Sequence, residues 1–527
     1  MTLDGFIHSL TATINPLETA SNLAWWNLAT TGDPKYAEEL KQFNITLCKI
    51  YSNAEDYQFL LSQPAHLDSK IERQATLLKH RYAQNQIPAA LIEKTVALET
   101  EIESNYTNFR PIVHNKTVSN NDLKHILVAS TDSLEREHAW EASKEIGAQV
   151  EAKVLELVNL RNASAKAMGY DNYYTMRLQL QELDETHLFQ LLDDLEKSTA
   201  EQWKAYKTRL DTSLSEKYKI SINAIKPWHY EDPFFQEAPR QQSDFDAFYK
   251  DKDIVEISRY YYRQIGMPID DVLQRSDLFE REKKNQHAFC SCIDHKQDVR
   301  ILCNIRDNEY WMCTQLHELG HAVYDKYIDQ ALPYFLRSPA HVSTTEAIAM
   351  LFGRLSKNGE FLRDYCDLEE KTAKEMGTKS RQHAAENLLV FARWTLVMTH
   401  FERALYQNTG EDLNKIWWDY VERFQSVSRV PSRNLPDWAA KLHLACAPVY
   451  YQNYILGEMT ASQITNYIKV NLKADIICSK EVGNYLKERL FALGARLPWN
   501  ETLEKATDEA LNPQYFIEDI SLKTHNV

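Results

Sequence analysis

Apolar residues recur at the spacing of helix faces through most of this 527-residue chain. In the first third, the pattern predicts successive amphipathic helices over residues 17–27, 36–54, 71–84, 91–105 and 133–167. A proline-free run over 310–328 predicts another helix, and the apolar residues that follow Ser343 predict the next one. The chain has only 13 glycines and 16 prolines, and so few turn-forming residues favour long helices over sheets. We therefore predict a mainly α fold.

The alternating pattern of β-strands is confined to a few short segments. Residues 288–293 and 299–304 alternate on either side of a turn-like sequence, which predicts a β-hairpin immediately before the helix over 310–328. Lys441, Leu442 and His443 also alternate, which predicts an extended segment with Lys441 and His443 on one side. No repeat or Gly/Ser linker divides the chain, so we predict a single domain over residues 1–527.

Composition and charge narrow the class of protein. Hydrophobic residues make up 44% of the chain and charged residues 26%, as in ordinary globular proteins. The formal net charge of -15 has the wrong sign for binding nucleic acid. We predict neither a signal peptide nor a membrane span, because the chain lacks a basic N-terminal region and a long apolar stretch. The eight cysteines are therefore expected to be reduced thiols in the cytoplasm, with signal-independent export as the alternative.

The clearest chemical pattern lies in the predicted helix over 310–328. His317 and His321 are four residues apart, so both imidazoles lie on one helix face and can bind one metal ion. Glu318 lies beside that face, where a general base can take a proton from water whose pKa zinc has lowered to about 7. His-Glu-x-x-His is the pattern of zinc peptidases, and the alternative is two surface histidines on a helix. We predict one Zn²⁺ per chain.

A catalytic zinc ion needs a third protein ligand, and we predict Glu346, because a turn and an antiparallel helix can return its side chain to the metal. Ser343 and Glu346 also match a capping box, in which the glutamate would bind a backbone amide instead. His341 is a rival ligand. A further alternative is a separate structural zinc site formed by four cysteines: Cys290, Cys292, Cys303 and Cys313. Their spacing matches no zinc pattern.

These zinc-site residues resemble those of the angiotensin-converting enzyme family, and further similar segments are spread along the chain. They are the opening helix at 17–26, the hairpin at 288–304, the tryptophan pair at 417–418, and residues 423–425 and 440–443. The resemblance implies an elongated helical metallopeptidase fold with a deep central channel and a small β-hairpin beside the zinc helix. It also implies a helical lid over about 1–165 and a zinc-binding core over about 285–460. Thimet-type oligopeptidases share the zinc spacing and remain competitors.

The resemblance also assigns roles to residues outside the metal site. It implies that Tyr454 and His443 stabilise the oxyanion that forms when water attacks the scissile carbonyl. It further implies that Lys441 and Tyr451 bind the substrate, with Lys441 near its carboxylate. The edge strand of the hairpin is expected to bind the peptide backbone by strand addition. The predicted contact positions in that strand are Ser291, Cys292 and Ile293.

Three departures from the family pattern change these expectations. Family members bind chloride through arginines, whereas this chain has Val421 after the tryptophan pair and Gln452-Asn453 between the two tyrosines. Chloride is therefore not expected as a cofactor. A glutamine that helps to bind the substrate carboxylate would fall near residues 228–230, which contain none. Met350 replaces the aspartate expected as the hydrogen-bond partner of the first zinc histidine.

Together, these patterns predict a zinc peptidase that hydrolyses short peptides, with release of C-terminal dipeptides as the favoured mode. The alternatives on the same machinery are an endo-oligopeptidase and a metallocarboxypeptidase that removes one residue. A peptide-binding or partner-binding protein on an inactive peptidase fold is the non-enzymatic alternative. We expect short peptides as partners and neither nucleic acid nor membrane; the sequence does not indicate an oligomeric state.

Overall fold

The computed structural model describes residues 1–114, 116–239, 245–474, 477 and 479–521. Helices dominate these residues, which confirms the predicted mainly α class. The first ten helices are α1 (Leu3–Thr31), α2 (Pro34–Tyr51), α3 (Ala54–Ser62), α4 (Ser69–Gln84), α5 (Ala89–Asn108), α6 (Asn120–Ala129), α7 (Ser133–Ala167), α8 (Tyr173–Leu180), α9 (Glu185–Ser198) and α10 (Ala200–Tyr218). The following helices are α11 (Ile254–Gln264), α12 (Asp270–Arg275), α13 (Glu309–Lys326), α14 (Val342–Gly353), α15 (Gly359–Cys366), α16 (Glu370–Gln407), α17 (Leu413–Tyr420), α18 (His443–Cys446), α19 (Gln452–Asn471), α20 (Lys480–Arg489), α21 (Trp499–Thr507) and α22 (Gln514–Ile520).

The helices predicted from periodicity are present, and the local capping residues explain where they start and stop. α7 has the bounds that the pattern predicted. α1 extends well beyond the predicted residues 17–27, because the Thr2 side chain caps its start and Gly32 ends it with a φ of 63°. After α10, the described residues up to 239 contain only short 3₁₀ turns, such as Pro227–His229.

The described chain divides into two compact units. The first unit comprises Met1–Gln86, Ser243–Arg381 and Leu456–Phe516, and the second comprises Ile87–Gln242, Gln382–Ile455 and Ile517–Val527. The single-domain organisation, the lid and the central channel stay predictions. In the described part of the chain, no helix has the length and apolar character needed to cross a membrane.

The first unit has its largest hydrophobic core around α13. Leu316, Leu319 and Val323 of this helix are fully buried there, together with Ile348 and Phe352 of α14. Burial of these side chains fixes the rotation of α13, because each fully buried aliphatic side chain contributes about 1.5–3 kcal/mol. The polar face of the helix, which carries the predicted metal ligands, is therefore held away from this core.

The predicted hairpin is present in the first unit beside α13. Strands β3 (Phe289–Cys292) and β4 (Val299–Leu302) pair antiparallel, and both contact α13. The backbone of Asp277 bonds to the outer side of β4, through Asp277 N to Ile301 O at 3.0 Å and Cys303 N to Asp277 O at 2.9 Å. β3 is thus the edge strand among the described residues. A second hairpin, β1 (Ile112–Val113) with β2 (Lys116–Thr117), was not predicted and belongs to the second unit.

The second unit contains long helices that pack around a core rich in aromatic side chains. Trp140 of α7, Trp394 of α16 and Trp438 are fully buried in it. Trp417 and Trp418, the tryptophan pair of the sequence pattern, are also buried, and the Trp417 ring lies 5.9 Å from that of Trp394. The pair therefore packs as part of the core.

Candidate active site

Close packing of α13 against α14 brings the three predicted metal ligands together. Gly320 faces α14, and a Cβ atom at this position would lie 2.8 Å from the Cα atom of Ala349. The missing side chain lets the two backbones approach, so that side chains of both helices can meet. His317 and His321 of α13 then lie beside Glu346 of α14.

The start of α14 tests the alternative in which Glu346 belongs to a capping box. The His341 side chain caps this helix by accepting a hydrogen bond from the Ser343 amide at 3.1 Å. Thr344 completes the cap, because its hydroxyl accepts from the His341 amide at 3.3 Å. The capping box is therefore formed by His341 and Thr344, and the alternative box fails because Ser343 lies inside α14 and is not its N-cap.

His317, His321 and Glu346 are grouped as a metal site requires, and we call them the metal group. Their donor atoms all lie within 4.8 Å of one another. Glu346 Oε2 lies 3.6 Å from His317 Nε2 and 3.8 Å from His321 Nε2. Tetrahedral zinc with bonds of about 2.1 Å would hold ligand atoms about 3.4 Å apart, so this donor set fits zinc. His341, the rival ligand, is outside the group.

The electrostatics of the metal group favour neutral imidazoles. Burial lowers the pKa of His317 to about 4 and that of His321 to about 3. Both rings therefore offer a lone pair at neutral pH, which is the form that binds a metal ion. One hydrogen-bond partner is also visible, because Thr345 Oγ1 lies 2.7 Å from His321 Nδ1. A partner on Nδ1 leaves Nε2 directed at Glu346.

Glu318, the predicted base, follows His317 on α13 and faces the hairpin. Burial raises the pKa of Glu318 to about 8, and the charge of Glu346 contributes to the rise. A hydrogen bond from the backbone of Cys290 in β3 opposes this shift. The carboxylate thus lies between the metal group and the edge strand.

The cysteines of this region do not support the alternative of a structural zinc site. Cys290, Cys292, Cys303 and Cys313 are free, and they form no group that could hold a metal among the described residues. Burial raises the pKa of Cys290 well above its usual range and that of Cys313 to about 11. Neutral thiols at these positions fit a packed hairpin.

The predicted strand-addition positions lie on the edge strand or just after it, and α1 already contacts two of them. Asn22 Nδ2 donates to Ile293 O at 3.2 Å and approaches Cys292 O at 3.5 Å. The Trp25 ring of α1 lies 4.1 Å from that of Phe289 in β3. A peptide strand bound by these carbonyls would have to displace the Asn22 amide. Binding at Ser291, Cys292 and Ile293 stays a prediction.

The remaining predicted residues, Lys441, His443, Tyr451 and Tyr454, belong to the second unit. The prediction of an extended segment at Lys441–His443 is wrong. Lys441 ends a 3₁₀ turn, because its amide bonds Trp438 O at 3.0 Å, and His443 begins the one-turn helix α18. Alternation over three residues cannot distinguish a strand from two consecutive turns.

Lys441 nevertheless lies beside Tyr451. We use the name lysine cluster for Lys441 and the residues around its ammonium group, which are Phe234, Gln236, Trp394 and Tyr451. The Lys441 ammonium donates to Gln236 Oε1 at 2.7 Å. It also lies 5.2–5.6 Å from the ring centroids of Phe234, Trp394 and Tyr451, within the range of cation–π attraction. Burial lowers the pKa of Lys441 to about 8. The cluster therefore holds a partly desolvated cation with an amide beside it.

Gln236 is the residue that sequence reasoning missed. A glutamine was expected near residues 228–230, but the side chain beside Lys441 comes from further along the same loop. Its Nε2 donates to Asp232 Oδ2 at 3.0 Å, which fixes the orientation of the amide and presents its oxygen to Lys441. The spacing of the family pattern could not assign this position, because spacing alone does not fix positions within a loop of altered length.

The histidine and the two tyrosines lie next to one another in the second unit. The ring centroids of His443 and Tyr451 are 5.0 Å apart, and those of Tyr451 and Tyr454 are 5.4 Å apart. Trp394 Nε1 donates to the Tyr451 hydroxyl at 3.1 Å. Burial lowers the pKa of His443 to about 4, and its buried Nδ1 has no hydrogen-bond partner among the described residues. An unpaired buried ring nitrogen is a group that a ligand can satisfy.

The positions where chloride-binding arginines were expected hold neutral residues. Val421 is buried. Asn453 Nδ2 donates to Gln181 Oε1 at 3.0 Å, and Gln452 Nε2 donates to Val449 O at 2.7 Å. These contacts pair amide with carbonyl groups, and independence from chloride stays a prediction.

Comparison with known proteins places nearly the whole chain in one family model. The model described as angiotensin-converting enzyme matches residues 1–226 and 238–516. The unmatched residues between these ranges include Gln236, in agreement with a loop of altered length.

Two curated relatives are more distant and match only part of the chain. Over 310 residues the chain is 23% identical to Carboxypeptidase 1 of Bacillus subtilis, covering 53% of this chain and 59% of that protein. Over 250 residues it is 20% identical to Thermostable carboxypeptidase 1 of Pyrococcus furiosus, covering 42% of this chain and 49% of that protein. The chain thus spans about half to three fifths of the length of these relatives.

Proposed function

The chain belongs to the angiotensin-converting enzyme family of peptidases, and from this premise we propose that it is a zinc-dependent enzyme that hydrolyses short peptides. The observation that carries the proposal is the metal group, two neutral imidazoles and a carboxylate spaced as zinc ligands are. Glu318 on the same helix supplies the residue type that peptide hydrolysis requires next to such a site.

The proposed chemistry divides among the described residues as follows. A zinc ion held by His317, His321 and Glu346 would polarise the scissile carbonyl and lower the pKa of water to about 7. Glu318 takes a proton from the attacking water and returns it to the departing amine, a contribution of about 10²–10⁴ in rate. Thr345, whose Oγ1 lies 2.7 Å from His321 Nδ1, would orient this ring so that Nε2 faces the metal.

Tyr454 and His443 are proposed to stabilise the oxyanion, on the strength of the family resemblance. The buried, unpaired Nδ1 of His443 supports this role, because a ligand oxygen would satisfy it. A neutral imidazole also donates a single N–H without adding a charge that would need compensation.

The lysine cluster supports cleavage near a free C-terminus. Lys441, with Gln236 and Tyr451 beside it, would bind the carboxylate of a peptide through a charge-assisted hydrogen bond. We propose release of C-terminal dipeptides as the cleavage mode. Removal of one residue is the second candidate, because both curated relatives carry the name carboxypeptidase. An endo-oligopeptidase would not need the cluster.

The location proposed for the protein is the cytoplasm. The described cysteines are free thiols, which fits a reducing compartment. Short peptides are the proposed substrates.

The test combines zinc content with identification of the products. Wild type should bind one zinc per chain and cut short unblocked peptides two residues from the C-terminus, as read by mass spectrometry. Glu318→Gln should keep the zinc and lose at least about a hundredfold in rate, since the base is removed and the ligands remain.

Three other results would change the assignment. Single-residue products would select the carboxypeptidase mode, and internal cuts in amidated peptides would select the endo-oligopeptidase. A zinc-loaded wild type that binds peptides and cuts none of them would select the non-enzymatic alternative.

A further inference from the structure

Asp325 lies on the functional face of α13, beyond the residues already assigned. It is four residues after His321 and seven after Glu318, and both spacings place side chains on one face of a helix. Along the helix axis, four residues span about 6 Å, which is about the length of two residues of an extended peptide. The carboxylate is therefore close enough to the metal group to contact a peptide bound there.

The surroundings of Asp325 place it against the edge strand. The thiols of Cys290 and Cys292, both in β3, have their pKa raised by burial and further by the charge of Asp325. Strand β3 also contacts α13 directly. Asp325 thus faces the same hairpin as Glu318, on the side of the helix where strand addition is proposed.

In the described part of the chain, Asp325 has no partner for its charge. It is half-buried, and burial raises its pKa to about 7. Among the described residues, no side chain forms an ion pair or hydrogen bond with its carboxylate. The neighbouring cation, Lys326, is bound instead to Asp271 at 2.5 Å and to the carbonyl of Pro268 at 2.6 Å.

Two other partly buried acidic residues of the first unit, Glu18 and Asp277, are paired. Glu18 Oε1 accepts from Arg81 Nη1 at 2.9 Å. Asp277 binds Lys284 at 2.8 Å and also Arg281. Asp325 differs from these two residues, and a partly desolvated carboxylate without a partner destabilises the free protein.

We propose that Asp325 is a specificity-determining residue that binds a cationic group of the peptide substrate within two or three residues of the cleaved bond. The cation is either a lysine or arginine side chain or the N-terminal ammonium of a short peptide. The bound cation pairs with the Asp325 carboxylate, for which the described residues provide no charge partner. This inference rests on the proposed function and adds the substrate class to it.

The test compares matched peptides in one enzyme. Each peptide carries lysine or its uncharged analogue norleucine at one position on either side of the bond, with the N-terminus free or acetylated. For wild type we expect kcat/KM to be about tenfold or more higher when the cation stands at the preferred position. In Asp325→Asn this ratio should fall to about 1. The acetylated series shows whether the cation is a side chain or the N-terminus.

A matched control removes the same charge nearby. Asp329 lies four residues further along the chain, after the end of α13, and is exposed. Asp329→Asn should keep the wild-type ratio, because an exposed carboxylate contributes little to a charge at the site. A ratio of about 1 in wild type, or an equal fall of the ratio in both variants, overturns the role given to Asp325.

A binding measurement separates this inference from the proposed function. Calorimetry with Glu318→Gln, loaded with zinc, compares the Kd of lysine and norleucine peptides without turnover. A tenfold preference that disappears in the Glu318→Gln/Asp325→Asn double variant supports the inference even if wild type hydrolyses nothing. Equal Kd values with active wild type overturn it and leave the peptidase proposal standing.

Discussion

The metal group and the lysine cluster are assembled in opposite ways. The metal group comes from two consecutive helices, α13 and α14, and its spacing follows from the helix repeat and one close contact at Gly320. The lysine cluster collects Phe234 and Gln236 from a loop, Trp394 from the middle of α16, and Lys441 and Tyr451 from turns between helices.

Because the two regions are assembled differently, we expect substitutions in them to affect function differently. A site on two rigid helices keeps its ligand geometry with few supporting residues, so loss of one ligand should be severe. A cluster drawn from loops and turns has several weak contacts around one cation, so loss of one member should change preference more than rate. The following predictions test that contrast, from the largest expected effect to the smallest.

His321→Ala should cause the largest loss. Three protein ligands are the minimum of a catalytic zinc site, so zinc affinity should fall by more than about a hundredfold and peptide hydrolysis with it. Zinc content after dialysis and kcat/KM give the measurement. His341→Ala, at the cap of α14, should keep its zinc and lose only about 1 kcal/mol of stability. If His341→Ala lost its zinc, we would assign His341 as the third ligand in place of Glu346.

Thr345→Val should have an intermediate effect on the same group. The substitution removes the hydroxyl that lies 2.7 Å from His321 Nδ1 while keeping the shape of the side chain. Removal of such a partner typically lowers metal affinity about 10–100-fold, which competition with a chelator measures. Thr345→Ser keeps the hydroxyl and should bind zinc nearly as wild type does. Unchanged affinity in Thr345→Val would show that packing alone orients His321.

Lys441→Met should change selectivity rather than abolish activity. The variant removes the cation proposed to bind a C-terminal carboxylate, so the rate ratio of a peptide acid to its amide should fall about tenfold. Lys415→Met is the control, because Lys415 is exposed and bound to Asp419 at 2.6 Å. An unchanged ratio in Lys441→Met would separate the lysine cluster from substrate binding and favour internal cleavage.

The same preference should depend on pH in wild type. Burial lowers the pKa of Lys441 to about 8, while the charges of Asp232 and Glu237 oppose that shift. Lys441 is therefore charged below pH 8 and neutral above it, so the ratio of acid to amide should be largest near pH 7 and decline between about pH 8 and 9. A ratio that rises through this range would exclude Lys441 as the carboxylate partner.

Chloride should have the smallest effect. Asn453 is bound to Gln181 where an arginine was expected, and Val421 is buried in the second position. Rates in sodium chloride and sodium acetate at equal ionic strength should therefore differ by less than about twofold, since general screening is the same in both. A several-fold activation by chloride would reveal an anion site built from other residues.

Periodicity and spacing were sufficient to predict the helical class, the bounds of α7, the hairpin before α13 and the grouping of His317, His321 and Glu346. These features depend on interactions within a few turns of helix or between consecutive elements, which the order of residues specifies directly. The role of each ligand stays a prediction from the same patterns.

Only the tertiary structure placed Gln236 beside Lys441, gave the cap of α14 to His341 and Thr344, and left Asp325 without a charge partner among the described residues. Contacts between residues far apart along the chain depend on loop lengths and on packing of whole elements, which local spacing does not encode. The missing partner of Asp325 is harder still to predict from sequence, because it depends on the identity and position of every described residue that packs around this side chain.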